Sequence, residues 1–169
     1  MKFRSVKFKS VNSTNNKAIK MIKHGQITPT IIMTEKQTKG KGQYGRKWIS
    51  QKGNLFMSIY YQLRSRKSLK RITNENCQII KKSLSKFLKN KIKIKPPNDL
   101  LINKKKFCGI LQEIITYKEK KYIIIGIGIN LFKSPQINNY PTTYMSKYCS
   151  KRINKSLVYN AIKKKYEKN

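Results

Sequence analysis

Apolar positions along this chain fall into short blocks whose spacing switches between two residues and three to four. Strands interrupted by helices produce such a pattern. Residues 1–8 alternate apolar and polar and read as a first strand. Asn12, Ser13, Thr14 and Asn15 are cap-forming residues set ahead of Ala18, Ile19 and Ile22, which would share one face of a helix. Residues 29–34 form a short apolar strand, and residues 54–63 alternate again as a half-buried strand would. Within residues 75–88, Ile79, Ile80, Leu84, Phe87 and Leu88 recur at helical spacing. Further strands are expected over residues 91–94, 100–102, 107–116 and 122–129, with the polar stretch 117–121 as a hairpin turn between the last two. Residues 134–140 are a Pro/Asn loop, and residues 156–166 close the chain as a basic helix.

Strands that follow one another in pairs, rather than alternating strictly with helices, predict an α+β fold with a mainly antiparallel mixed sheet flanked by helices. The length of 169 residues suits one core, so a single domain is expected over residues 1–169, and no repeat or internal linker interrupts it. Apolar residues are 38% of the chain, which is lean, yet their periodicity argues against disorder. No apolar run approaches the length of a membrane span, and the basic N-terminus leads into polar sequence. A soluble, cytoplasmic protein is the expectation.

Charge complicates the picture. Forty Lys and Arg face six acids, for a net charge of +34. Such a balance ordinarily points to nucleic acid, so a basic nucleic-acid-binding protein without catalysis is one reading. The lysines, however, are spread along the chain instead of forming one tail or helical stripe. The abundance of Ile, Asn and Lys is what A/T-rich codons drifting into surface positions would give; it does not explain the scarcity of acids. Cys77, Cys108 and Cys149 lie far apart with no CxxC pair, which argues against a disulfide framework or zinc site. His24, the single histidine, ends a predicted helix, where a cation complements the dipole. Asp99 is the only aspartate, joined by Glu35, Glu75, Glu113, Glu119 and Glu167. Any carboxylate chemistry must draw on these side chains.

Residues 40–45, GKGQYG, match the GxGxxG dinucleotide fingerprint literally. That motif needs a helix opening inside it and an acid about twenty residues on, and neither follows here. What remains is a loop of Gly40, Gly42 and Gly45 interleaved with Lys39, Lys41, Arg46 and Lys47. Glycines let backbone approach an anion closely and the cations neutralise it, although a flexible basic surface loop would read the same way. Asp99 sits in a turn-like Pro-Pro-Asn-Asp segment near Lys106. It could position that lysine, act as a base or metal ligand, or simply cap the turn.

In this order and spacing, several segments resemble the catalytic domain of the biotin–protein ligases. They are Ser13-Thr14-Asn15, Gln37, GKGQYGRKW (residues 40–48), GNL (53–55) with Ser58, PNDL (97–100), KFCGIL (106–111) and GIGIN (126–130). The resemblance covers roughly residues 8–132. It implies the biotin/lipoate ligase fold, related to class II aminoacyl-tRNA synthetases. It also implies a two-step reaction in which biotin and Mg²⁺-ATP give biotinyl-5′-AMP, which then acylates a lysine of a biotin carboxyl carrier domain. By the same resemblance, Ser13, Thr14, Asn15 and Gln37 would hold the biotin head group. Gly40, Lys41, Gly42, Gln43 and Arg46 would form the biotin and phosphate loop. Lys106, with Asp99, would be catalytic and bridge the biotin carboxylate and α-phosphate. Gly109, Gly126 and Gly128 would bring backbone against biotin, and Asn130 would contact the nucleotide. No metal ligand is assigned.

The chain also departs from the family. Its loop usually reads GRGRxGR, whereas Lys41 and Gln43 stand at the first two arginines, and Pro96 replaces the usual Trp before PND. Losing a bidentate cation at position 43 would weaken retention of the adenylate, so a leakier intermediate is expected. Neither an N-terminal DNA-binding domain nor a C-terminal SH3-like domain is expected within the chain, and specific DNA binding is not expected. Lipoate–protein ligases share the ND…K…G segment, but nothing here resembles their Arg-Arg…Gly-Gly-Gly…His-Asp stretch.

Overall fold

The computed structural model describes residues 1–65 and 67–168. The chain runs β1 (Arg4–Val11), α1 (Thr14–Lys23), β2 (Thr30–Gln37), β3 (Leu55–Gln62), α2 (Leu69–Ser85), β4 (Lys93–Lys95), β5 (Asp99–Ile102), β6 (Lys105–Tyr117), β7 (Lys120–Ile129) and α3 (Lys155–Lys168). The strands form one seven-stranded mixed sheet ordered β1-β2-β3-β7-β6-β5-β4. β1 and β2 are parallel, with α1 as their crossover, and the remaining neighbours are antiparallel. The expected mainly antiparallel sheet with flanking helices is therefore what forms. None of the described helices is long and apolar enough to cross a membrane.

Three elements have boundaries that differ instructively from the spacing of apolar residues. α2 begins at Leu69, well before residue 75, because Ser68 caps it by accepting the Arg71 N–H at 3.4 Å. Its first turns bury little besides Ile72 and Thr73, so periodicity there is thin. β1 lies over Arg4–Val11 rather than residues 1–8, because parallel pairing with β2 matches Arg4 to Thr30 and Val11 to Gln37. The same pairing carries β2 beyond Thr34 as far as Gln37.

α2 and α3 cover one face of the sheet. Ile72, Ile80 and Leu84 of α2 and Val158 and Ile162 of α3 pack with Leu55, Met57 and Ile59 of β3 and with Ile123, Ile125, Ile127 and Ile129 of β7. Each fully buried isoleucine contributes roughly 2 kcal/mol. Tyr166 ties the two helices together by donating to Asn76 Oδ1 at 2.7 Å. α1 covers part of the opposite face, setting Ala18, Met21 and Ile22 on Ile32, Tyr60, Tyr122 and Ile124. The cysteines are free thiols, and burial pushes the Cys77 thiol up to about 11.

Two hairpin turns use ordinary residues in the left-handed region: Asn103 (φ 48°) and Lys104 (φ 62°) between β5 and β6, and Lys118 (φ 46°) and Glu119 (φ 60°) between β6 and β7. A two-residue turn of this hand favours Asn-Gly, because side chains crowd the backbone there. Replacing Lys118→Asn together with Glu119→Gly should therefore raise stability by about 1 kcal/mol. The check is a urea titration: a higher midpoint at unchanged slope is the expected result.

Candidate active site

α1 stops short of covering its face of the sheet, and the side chains of β7 change accordingly. Residues Tyr122 and Ile124 lie under the helix, and the next two on that face are Gly126 and Gly128. Gly126 pairs with Leu111 of β6 and Gly128 with Gly109. These glycines are required by close approach. A Cβ on Gly126 would run into the Asn15 amide, one on Gly128 into the Trp48 indole, and one on Gly109 would lie 2.7 Å from Trp48 Cζ3. Above them lies a cavity of about 800 Å³, a size suited to a small ligand.

One end of the cavity is polar and is built by the start of α1. Ser13 caps the helix, accepting the Asn16 N–H at 3.5 Å. Thr14 donates from its backbone N–H (2.8 Å) and hydroxyl (3.1 Å) to Gln37 Oε1, and Gln37 Nε2 donates to Ser50 Oγ at 3.1 Å. Asn15 accepts from the Ser58 hydroxyl at 2.6 Å and donates to Glu113 Oε2 at 2.7 Å. Ser13, Thr14, Asn15 and Ser58 are all buried. Buried polar groups of this kind are held rigid when their partners are satisfied.

The other end is cationic. Lys106 Nζ lies 2.8 Å from Asp99 Oδ1, a close ion pair outside hydrogen-bonding alignment, and both side chains are mostly buried. Tyr140 donates its hydroxyl to Asp99 Oδ2 at 2.6 Å. Burial first, and then that bond, hold the Tyr140 phenol well above its ordinary range, so it stays a donor. The Lys106 ammonium lies 5.4 Å from the ring centres of both Trp48 and Tyr140. Asn130 donates to Thr143 O at 3.2 Å, while its Oδ1 and the Trp48 indole N–H are buried without a hydrogen-bond partner. Both residues line the cavity.

Lys106 reaches this face because β6 is irregular. Against β5, Gly109 pairs with Asp99 and Cys108 with Leu100, but Leu101 pairs with Lys106, leaving Phe107 as an extra residue. Phe107 and Cys108 both enter the core beneath. Without the bulge, strict alternation would place Lys106 on the core side whenever Gly109 faces the cavity.

The glycine loop is a small ordered hairpin. Lys41 bridges to Lys47, Gly42 N–H donates to Arg46 O at 2.7 Å, and Trp48 N–H donates to Gly40 O at 3.0 Å. Tyr44 sits at its tip, 88% exposed. Lys41 lies 3.8 Å from Glu113, a partly exposed pair that links the loop to the head of the cavity.

Of the residues singled out in the sequence, Ser13, Thr14, Asn15, Gln37, Lys41, Gly42, Gln43, Arg46, Asp99, Lys106, Gly109, Gly126, Gly128 and Asn130 line this one cavity. Gly40 does not; it is buried beneath the loop, where a Cβ would press on the Trp48 carbonyl and Ser50 Oγ. Sequence reasoning gave no role to Trp48 as a wall, to Ser58 and Glu113 as partners of Asn15, or to Tyr140. Glu113 had a signal in the scarcity of acids. Tyr140 lies in an aperiodic loop and had none.

The sequence profile of the Biotin/lipoate A/B protein ligase family matches residues 7–130. The bifunctional ligase/repressor BirA of Bacillus subtilis (strain 168) is 31% identical over 169 residues, covering 94% of this chain and 51% of that protein. The chain thus spans about half the length of this relative. Among solved structures, biotin protein ligase from Aquifex aeolicus in complex with biotin and ATP superposes with a TM-score of 0.82 at 26% identity, covering 98% of this chain and 70% of that one. Biotin protein ligase from Leishmania major in complex with biotin, at 23% identity and a TM-score of 0.81 over 95% of this chain and 71% of that one, shares the fold.

The polar end makes a stability prediction of its own. Ser58→Ala removes the donor to buried Asn15 Oδ1 and should cost about 1–2 kcal/mol. Chemical denaturation reads this directly; a loss below a few tenths would show that Asn15 does not depend on Ser58.

Proposed function

The chain belongs to the biotin/lipoate A/B protein ligase family, and from that premise we propose that it is an ATP-dependent biotin–protein ligase. It activates the carboxylate of biotin as biotinyl-5′-AMP and passes the acyl group to a lysine of a biotin carboxyl carrier domain. One observation carries the reading. A cavity has a buried hydrogen-bonding end at Ser13, Thr14, Asn15 and Gln37, and the Lys106 ammonium, steadied by Asp99, at the other. That polarity suits a carboxylic acid whose far end is a hydrogen-bonding ureido ring. An apolar dithiolane would gain no hydrogen bonds from these hydroxyls and amides, whereas a ureido ring can, which favours biotin over lipoate.

In the first step a biotin carboxylate oxygen attacks the α-phosphorus of ATP, the bond to the β-phosphate bridge breaks, and pyrophosphate leaves with the electron pair. Two anions must meet, and the Lys106 ammonium offsets their repulsion where charge accumulates. Gly109, Gly126 and Gly128 let the ligand lie against backbone, and Asn130 offers an unsatisfied acceptor to the nucleotide. In the second step the carrier's amine attacks the acyl carbonyl, the bond to the phosphate oxygen breaks, AMP departs and the amine loses a proton. Lys41, Gly42, Gln43 and Arg46 form the lid that keeps water from the mixed anhydride between the steps.

Asp99 is engaged by Lys106 and Tyr140, and Glu113 by Asn15 and Lys41. Among the described residues no cluster of three potential metal ligands exists. The described residues therefore do not form a resident Mg²⁺ site. We place the reaction in the cytoplasm, where ATP is at hand.

Replacing Lys106→Ala should lower biotin-dependent ATP–pyrophosphate exchange about a hundredfold or more while circular dichroism keeps its folded signature, with a lower thermal midpoint because Asp99 loses its buried partner. Undiminished exchange would refute the role. Gln43→Arg should reduce the free adenylate released in a single turnover several-fold, because a guanidinium holds phosphate by two donors. Equal release from both proteins would remove Gln43 as the source of leakage.

A further inference from the structure

Tyr140 lies against three charged groups of the cationic end. Its hydroxyl donates to Asp99 Oδ2 at 2.6 Å, its ring centre lies 5.4 Å from Lys106 Nζ, and Lys95 Nζ sits 4.3 Å from the same ring. Asp99, Lys95, Lys106 and Arg46 are the charged groups that face it. The segment carrying Tyr140 is itself locked to β6: Lys106 N–H donates to Pro141 O at 2.9 Å, and Thr143 N–H donates to Lys106 O at 2.8 Å. Backbone and side chain of Lys106 are thus registered by one short strap.

We propose that Tyr140 is a positioning residue for adenylation: through its hydroxyl it fixes the Asp99 carboxylate, and through Asp99 it fixes where the Lys106 ammonium points. The proposal rests on the ligase reading for its consequence in turnover, but its geometric content stands apart from that reading. A carboxylate held by one partner can rotate and carry the paired ammonium with it. Donation to Oδ2 leaves Oδ1 facing Lys106 and fixes the plane of the carboxylate. The aromatic ring restricts the ammonium from one side and Trp48 restricts it as well. Positional error at a reacting centre is expensive in rate even when binding is preserved.

The test compares wild type with Tyr140→Phe, Asp99→Asn and the double variant, using two readouts. In biotin-dependent ATP–pyrophosphate exchange, Y140F should lower kcat about tenfold with KM for biotin within about twofold, and should add nothing in the D99N background. Independently of activity, acylation of Lys106 by acetic anhydride, followed by mass spectrometry, should be among the slowest of the lysines in wild type and about fivefold faster in Y140F. A Lys106 labelling rate unchanged in folded Y140F overturns the proposal, as does a full tenfold further loss of exchange on adding Y140F to D99N. Rapid labelling of Lys106 in wild type overturns it without any variant, should Y140F fail to fold. If wild type shows no biotin-dependent exchange, the ligase reading falls, while the labelling comparison still decides the role of Tyr140.

Discussion

Lys106 and Asp99 meet at 2.8 Å, and much of the architecture is what that pairing requires. Asp99 begins β5, Lys106 lies near the start of β6, and the two strands are antiparallel neighbours. A regular ladder would turn one of the pair away, so β6 carries an additional residue. The partial burial of both groups removes water that would otherwise screen them, which makes either one alone unfavourable and the pair mutually dependent. Tyr140 and Trp48 complete the enclosure from two loops outside the seven strands, each held by its own backbone hydrogen bonds.

The remainder of the cavity follows from where α1 ends. Its length leaves the far part of one sheet face bare, and its N-terminus brings three consecutive polar residues to the boundary between covered and uncovered sheet. Large side chains of β7 lie under the helix, while small ones lie beyond it. One element thus both stabilises the fold and frames the cavity. The scarce acids are also placed non-randomly: Asp99 and Glu113 are in or beside the cavity, while Glu75 and Glu167 pair with neighbouring cations at the surface. In a chain of net charge +34, those two carboxylates keep specific cations in place rather than lowering the overall potential, which still favours the approach of anions.

Much of this was legible in the sequence because period-two and period-3.6 patterns report burial directly. β3, β6, β7 and α3 fall close to where their apolar residues predict, and the polar turn at 118–119 lies between the strands it was expected to join. The residues that line the cavity were legible for another reason: separate short motifs in a familiar order mark positions that composition alone leaves indistinguishable, as Lys106 is among so many lysines. What remained hidden was set by tertiary structure. The early turns of α2 depend on Ser68 and carry too few apolar side chains to show a period. Trp48 is an aromatic in a basic loop until the sheet glycines beneath it are seen. Tyr140 is recognisable only once the strap has folded back onto β6.

The extra residue at Phe107 turns side-chain direction into a matter of parity. Along β6, which residues point up and which point down is decided by counting, and the count is reset at one place. Point substitutions across the lysine-rich surface leave that count untouched and so are absorbed by the scaffold. Were Phe107 to rejoin the ladder in register, composition would be unchanged, yet an ammonium would turn toward the hydrophobic layer and away from the carboxylate. For this chain, evolutionary freedom is wide in chemistry and narrow in arithmetic.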